Sequence, residues 1–233
     1  MPSRFIRLSH NISAGAPGWP GHPRYTFEQF LAIRSGDVVN VGVLHLCNHF
    51  GTHVDGPRHF NPGGTEFTDL DIGEFIFERP LVIDVDLDPE ELVTPRHLTA
   101  PSPDQNDPDI ILLRSGWSTV RLSDPKRYEL RGPAVSAQTC EFLISEYPGL
   151  RALGLDWMSL ATPTKIEEGI AAHRALCGRL PRDRYVLILE DLDLSRLPPD
   201  TVRLYAFPLY AEGADSSPCT VVAERGAASL SPR

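Results

Sequence analysis

The stretch His49-Phe50-Gly51-Thr52-His53-Val54-Asp55-Gly56-Pro57-Arg58-His59 limits how this chain can fold more than any other part of it. Together with His45 it puts four of the eight histidines within fifteen residues. Imidazoles beside a carboxylate are the donor set of zinc, manganese or iron. His49, His53, Asp55 and His59 all carry odd numbers, so one straight strand would place them on one face. Such a strand rises ~3.3 Å per residue and would set His49 and His59 on the order of 33 Å apart. Donors to one ion lie ~2 Å from it. To serve one site the segment must fold back on itself, and Gly51, Gly56 and Pro57 are where it can. A helix with His49 and His53 one turn apart, as in zinc proteases, would need Glu after the first His. Phe50 and Gly51 stand there instead, which excludes that version.

The rest of the chain bounds the class. Its 233 residues suit one large domain or two small ones, and no internal repeat or linker divides them, so a single domain over 1–233 is expected. A net charge of -9 repels phosphate backbones and argues against a nucleic-acid partner. The longest apolar runs, such as Tyr185 to Leu189, fall far short of the ~20 residues that span a bilayer, so no membrane association is expected. The first residues show no apolar signal-peptide core. Cys47, Cys140, Cys177 and Cys219 lie far apart without a Cys-x-x-Cys pair. That pattern suits buried thiols in a reduced, cytoplasmic protein.

Local patterns alternate in type. Thr26, with Gln29 three residues on, predicts a helix start by a capping-box pattern. Val38 to Leu46, Pro80 to Val85, Asp109 to Leu113, Ala152 to Leu155, Tyr185 to Leu189, Val202 to Tyr210 and Cys219 to Ala223 read as strands. Ser136 caps a helix running to about Tyr147, with Pro148-Gly149 as its stop. Glu167 to Cys177 reads as a helix with Ile170, His173, Arg174 and Cys177 on one face and Gly178 at its end. Thr99 to Pro108 reads as a surface loop, Arg179 to Arg184 as a surface loop or a segment that reshapes the pocket rim, and Gly226 to Arg233 as a frayed tail. The strands are too numerous for a simple doubly wound sheet, so a mixed α and β domain is expected.

The histidine-rich segment also resembles a known signature, His-x-Gly-Thr-His-x-Asp-x-Pro-x-His, that of the cyclase family of metal-dependent hydrolases. His49, Gly51, Thr52, His53, Asp55, Pro57 and His59 meet all seven fixed positions. Arg7-Leu8-Ser9-His10, Trp19-Pro20-Gly21, Leu112 to Trp117, Ala152 to Asp156 and Pro208-Leu209 look like further family segments. The resemblance implies an α/β fold of the swivelling β/β/α type, a mixed sheet flanked by a few helices, in a homo-oligomer (dimer or tetramer). It implies His49, His53 and Asp55 as metal ligands and His59 as the proton-transfer group. It adds His173 and Glu190 as further ligands. On the residues alone, His173 reads more often as a core histidine, and Glu190 reads equally as half of a salt bridge or a metal ligand.

The implied chemistry is hydrolysis of a small amide. One or two divalent ions, zinc first and manganese second, would activate a water, with His49, His53 and Asp55 on one ion and His173 with Glu190 on the other. His59, not needed as a ligand, would shuttle the proton to the leaving nitrogen. An aryl formamide such as N-formylkynurenine is the expected substrate. A lactam hydrolase acting on an isatin-like ring, a ring-forming cyclase and a non-catalytic metal-binding scaffold are the alternatives. Trp19, Phe50 and Trp117 either line an aromatic substrate pocket or pack the core. His45 reads as a core or ligand-supporting residue, and Cys47 as a small buried one.

Overall fold

The computed structural model describes residues 3–98, 107–178 and 184–226. In chain order the strands and helices begin with β1 (Phe5–Arg7), β2 (Thr26–Leu31), β3 (Val41–His45) and β4 (His53–Asp55). β5 (Ile76–Phe77), β6 (Pro80–Asp84), β7 (Leu92–Val93) and β8 (Ile110–Arg114) follow. Then come α1 (Trp117–Ser123), α2 (Pro125–Arg131), β9 (Ala134–Val135), α3 (Ala137–Glu146) and β10 (Ala152–Leu155). The chain continues with α4 (Ile166–Cys177), β11 (Leu187–Glu190), β12 (Thr201–Pro208) and β13 (Ser216–Arg225).

Nine strands form one mixed sheet in the order β5-β12-β13-β4-β11-β10-β8-β6, with β1 also on β13. The apolar runs of β6, β8, β10 and β11 pair in parallel. β4 runs antiparallel between β11 and β13. Parallel strands covered on both faces need apolar residues on both, which is why these runs hardly alternate. Successive side chains still point to opposite faces. Ile111, Leu113, Leu153, Leu155 and Ile188 join Tyr128, Leu143 and Leu176 in a core on the helix side. Ile110, Leu112, Ala152, Leu187 and Leu189 join Val54, Leu204 and Val221 in a second core. This is the expected mixed sheet with a few helices. Ser136 caps α3 as expected, its hydroxyl accepting from the Thr139 backbone N–H.

One local expectation is corrected. Thr26 opens a strand, not a helix: β2 pairs with β3 as a separate antiparallel ribbon. The capping-box pattern is short, and Gln29 spends its amide on the Val41 carbonyl across the ribbon, at 3.1 Å. Phe27, Phe30 and Leu44 of this ribbon are exposed. Helices α1 and α2 add to the elements that the sequence patterns predict. The loop read at Thr99 to Pro108, the loop from Arg179 and the tail after Gly226 fall almost wholly outside the described residues. Among the described residues no helix is long and apolar enough to cross a membrane. Cys140, Cys177 and Cys219 are buried free thiols, and Cys47 is half-buried.

Candidate metal centre

Strand alternation builds the floor of the site. Val54 turns into the second core, so its neighbours His53 and Asp55 turn toward the helices. On the adjacent strand Glu190 stands opposite His53 and Ile188 opposite Asp55, which puts Glu190 on the same face. Helix α4 lies over that face and supplies the buried His173. The chain ahead of β4 bends at Gly51, whose φ of 70° favours glycine. After β4 a 3-10 turn, Pro57–His59, carries His59 back. Gly56 lies so close to its neighbours that a Cβ there would fall 2.7 Å from the Phe67 ring. The segment therefore folds back as its spacing required: the His49 and His59 rings sit 4.2 Å apart, centroid to centroid.

The histidines are oriented by backbone carbonyls. His53 Nδ1 donates to the Gly51 carbonyl at 2.8 Å and His173 Nδ1 to the Gly169 carbonyl at 2.7 Å. A carbonyl only accepts, so each Nδ1 carries the proton and each Nε2 is left for the acids. His53 Nε2 lies 3.4 Å from Glu190 Oε2 and 3.5 Å from Asp55 Oδ1. His173 Nε2 lies 3.6 Å from Glu190 Oε1 and 3.9 Å from Asp55 Oδ2. His49 Nδ1 lies 3.0 Å from Asp55 Oδ1. Burial favours the uncharged acid, yet His173 and His53 hold the Glu190 carboxyl down to about 2. Burial favours neutral His49 too, but Asp55 and Asp215 outweigh it and push His49 up to about 10.

These residues fit a divalent cation. Both carboxylate oxygens of Asp55, and His53 Nε2, are buried without a hydrogen-bond partner among the described residues. An unpartnered buried carboxylate costs several kcal/mol. Two sets of donor atoms lie within 4.8 Å of one another: His53, Asp55 and Glu190, and His49, Asp55 and His59. Asp55 belongs to both. This grouping differs from the division expected above, which set Glu190 apart from Asp55 and left His59 out.

The cluster floors a cavity of about 300 Å³. Its walls are mainly apolar, with Trp19, Phe60, Met158, Ile166 and Ile170 lining it together with His49, His53, His59, His173 and Glu190. Of the three aromatic residues expected here, only Trp19 lines it. Phe50 is buried behind Gly18, and Trp117 is buried in the helix-side core with its indole N–H 3.4 Å from the Leu87 carbonyl. Phe60 takes their place and stacks on His173 at 4.7 Å. His45 is exposed on the ribbon, 3.5 Å from Glu28, away from the core and the acids. Asp215 was not singled out by sequence, since a lone Asp in a turn carries no signal. It accepts from His59 Nδ1 at 2.7 Å and lies 3.5 Å from His49 Nε2.

Comparison with known proteins agrees with this picture. A kynurenine formamidase of Geobacillus thermodenitrificans is 27% identical over 227 residues, covering 94% of this chain and 96% of that protein. One from Sphingopyxis alaskensis is 28% identical over 228 residues, with 94% and 97% covered. Among solved structures, isatin hydrolase A of Ralstonia solanacearum superposes with a TM-score of 0.75 at 21% identity, covering 94% of this chain and 91% of its own. Isatin hydrolase A of Labrenzia aggregata gives 0.73 at 22%, with 94% and 93% covered. The family model described as "Putative cyclase" matches residues 6–162, more than half of the sequence, and with it the chain belongs to the Cyclase family.

Proposed function

We propose that this chain is a metal-dependent hydrolase of small amides. The observation that carries the reading is the pair of buried carboxylates, Asp55 and Glu190, set among histidine ring nitrogens, with Glu190, His53 and His173 lining a mainly apolar cavity. A divalent ion held by His49, His53, Asp55, His173 and Glu190, zinc in the first instance and manganese in the second, would activate water and polarise the amide carbonyl. His59 takes the proton from the attacking water through Nε2 and gives it to the leaving nitrogen, without which an amide does not readily expel its amine. Trp19, Phe60, Met158 and Ile170 hold the apolar part of the substrate and keep bulk water from it.

The substrate we propose is an aryl formamide such as N-formylkynurenine, the reading that the formamidase relatives support. A lactam such as isatin is the second reading. The mainly apolar cavity, with no Lys or Arg among its described lining residues, suits a small neutral ring. Hydrolysis of both compounds, assayed with and without a chelator, tests the proposal. Chelator-sensitive turnover of either supports a metal-dependent amide hydrolase and names its substrate. Turnover that survives complete metal removal contradicts it.

A further inference from the structure

His59 can carry a proton in one direction only if its ring is held in one tautomer. Asp215 is placed to do that. It sits just ahead of Ser216, the residue paired with Asp55 in the register of β13 on β4. Its backbone carbonyl accepts from the Gly56 N–H at 2.9 Å, which ties it to the turn that leads into His59. Its side chain accepts from His59 Nδ1 on Oδ2 and from Asn48 Nδ2 on Oδ1, both at 2.7 Å, and Oδ2 also lies 3.5 Å from His49 Nε2. We propose that Asp215 is the positioning residue for proton transfer: with Asn48 it holds His59 as the Nδ1–H tautomer and leaves Nε2 free to exchange the proton.

The donor pattern makes this sharp. A carboxylate offers an acceptor to each neighbour, whereas an amide offers one acceptor and one donor. Asp215→Ala removes both acceptors and leaves His59 Nδ1 unanswered, whereas in Asp215→Asn the new NH2 faces the His59 N–H or the Asn48 side chain, whose amide can turn its own oxygen inward to meet it. Changing Asn48 to Asp in the same chain turns the outer neighbour into an acceptor. The introduced amide can then donate outward and accept from His59. The pair of changes restores the tautomer with the charge moved one residue out.

The inference rests on the hydrolase reading for its kinetic arm alone. The direct test is the ring nitrogen signals of His59 in ¹⁵N–¹H spectra of zinc-loaded protein. Wild type and N48D/D215N should show the Nδ1–H form, and D215A a mixed or Nε2–H form. An unchanged tautomer in D215A overturns the proposal. In the kinetic arm, D215A should lower kcat about 10–100-fold with KM nearly unchanged, and the double variant N48D/D215N should keep most of the wild-type rate. A loss that tracks a fall in bound zinc overturns it, because Asp215 would then act through His49. A wild type inactive on every amide tried counts against the hydrolase reading, and the spectra still decide the role of Asp215.

Discussion

Glu190 and Asp191 are adjacent and equally buried, at 3% exposure each, yet their surroundings are opposite. Asp191 is saturated. The Arg121 guanidinium grips it with two bonds, at 2.7 and 2.9 Å, and the Tyr128 hydroxyl donates to it at 2.6 Å. Its carbonyl accepts from the Thr52 hydroxyl at 2.5 Å, tying this network to the turn before His53. Glu190 takes one backbone N–H, from Leu160 at 2.6 Å, and otherwise faces histidines and the open acceptors of Asp55. A buried carboxylate clamped by an arginine fork is a structural ion pair. Two buried carboxylates among histidine nitrogens, one of them with both oxygens left open, mark a place for a cation. Nearly the same depth thus serves two ends, and what differs is how fully the lone pairs are answered.

Substitutions at the two acids and their partners should separate these roles. Asp55→Ala has the largest expected effect on chemistry: bound metal falls to near zero by elemental analysis and turnover drops to background. Metal retained at the wild-type ratio would break the contrast. Arg121→Ala leaves Asp191 buried and unpaired, and should lower unfolding free energy by about 3–5 kcal/mol in urea titrations. Metal content should stay at the wild-type level, and a metal-poor but fully stable variant would reverse the assignments. His59→Ala should lower kcat by about 10²-fold or more with metal still bound. Loss of metal in that variant would make His59 a ligand, as its nearness to His49 and Asp55 allows.

pH sharpens the comparison further. With Glu190 held down to about 2 and His49 pushed up to about 10, charge in the cradle is balanced by histidine protons, which a metal must displace. Raising pH through the neutral range, still below His49's raised value, weakens that competition, so metal affinity should rise by up to about tenfold per unit for each proton released. Affinity measured by calorimetry that does not change with pH would contradict the assignment. The smallest effect belongs to the exposed pair of Asp84 with Arg114, joined at 2.6 and 2.9 Å. Asp84→Ala should cost less than about 1 kcal/mol and leave metal content alone.

Sequence makes some of this legible and hides the rest for physical reasons. The His49 to His59 stretch is local, and its donor types and glycines alone point to a folded-back loop. The central strands are apolar runs of the length a buried sheet needs. His173 and Glu190 are reached through the family resemblance, because a helix histidine and a strand-end glutamate have ordinary roles too. Helix α2 buries only Tyr128, so no apolar stripe announces it. Its start is marked by Asp124 and Pro125, the Asp124 carboxylate accepting from the Arg127 N–H at 3.0 Å. The Thr26 pattern misleads because one capping box cannot outweigh ribbon pairing. Trp117 illustrates the ambiguity of aromatic residues: core and pocket walls use the same side chains, and only tertiary placement tells them apart.

The central claim is that Asp55 and Glu190 form the cradle of a divalent ion. Diffraction from zinc-loaded crystals on both sides of the zinc absorption edge tests it most directly. The account predicts an anomalous peak bounded by Asp55, Glu190 and the His53 ring. Zinc bound only elsewhere, with these residues closed on one another, would contradict it.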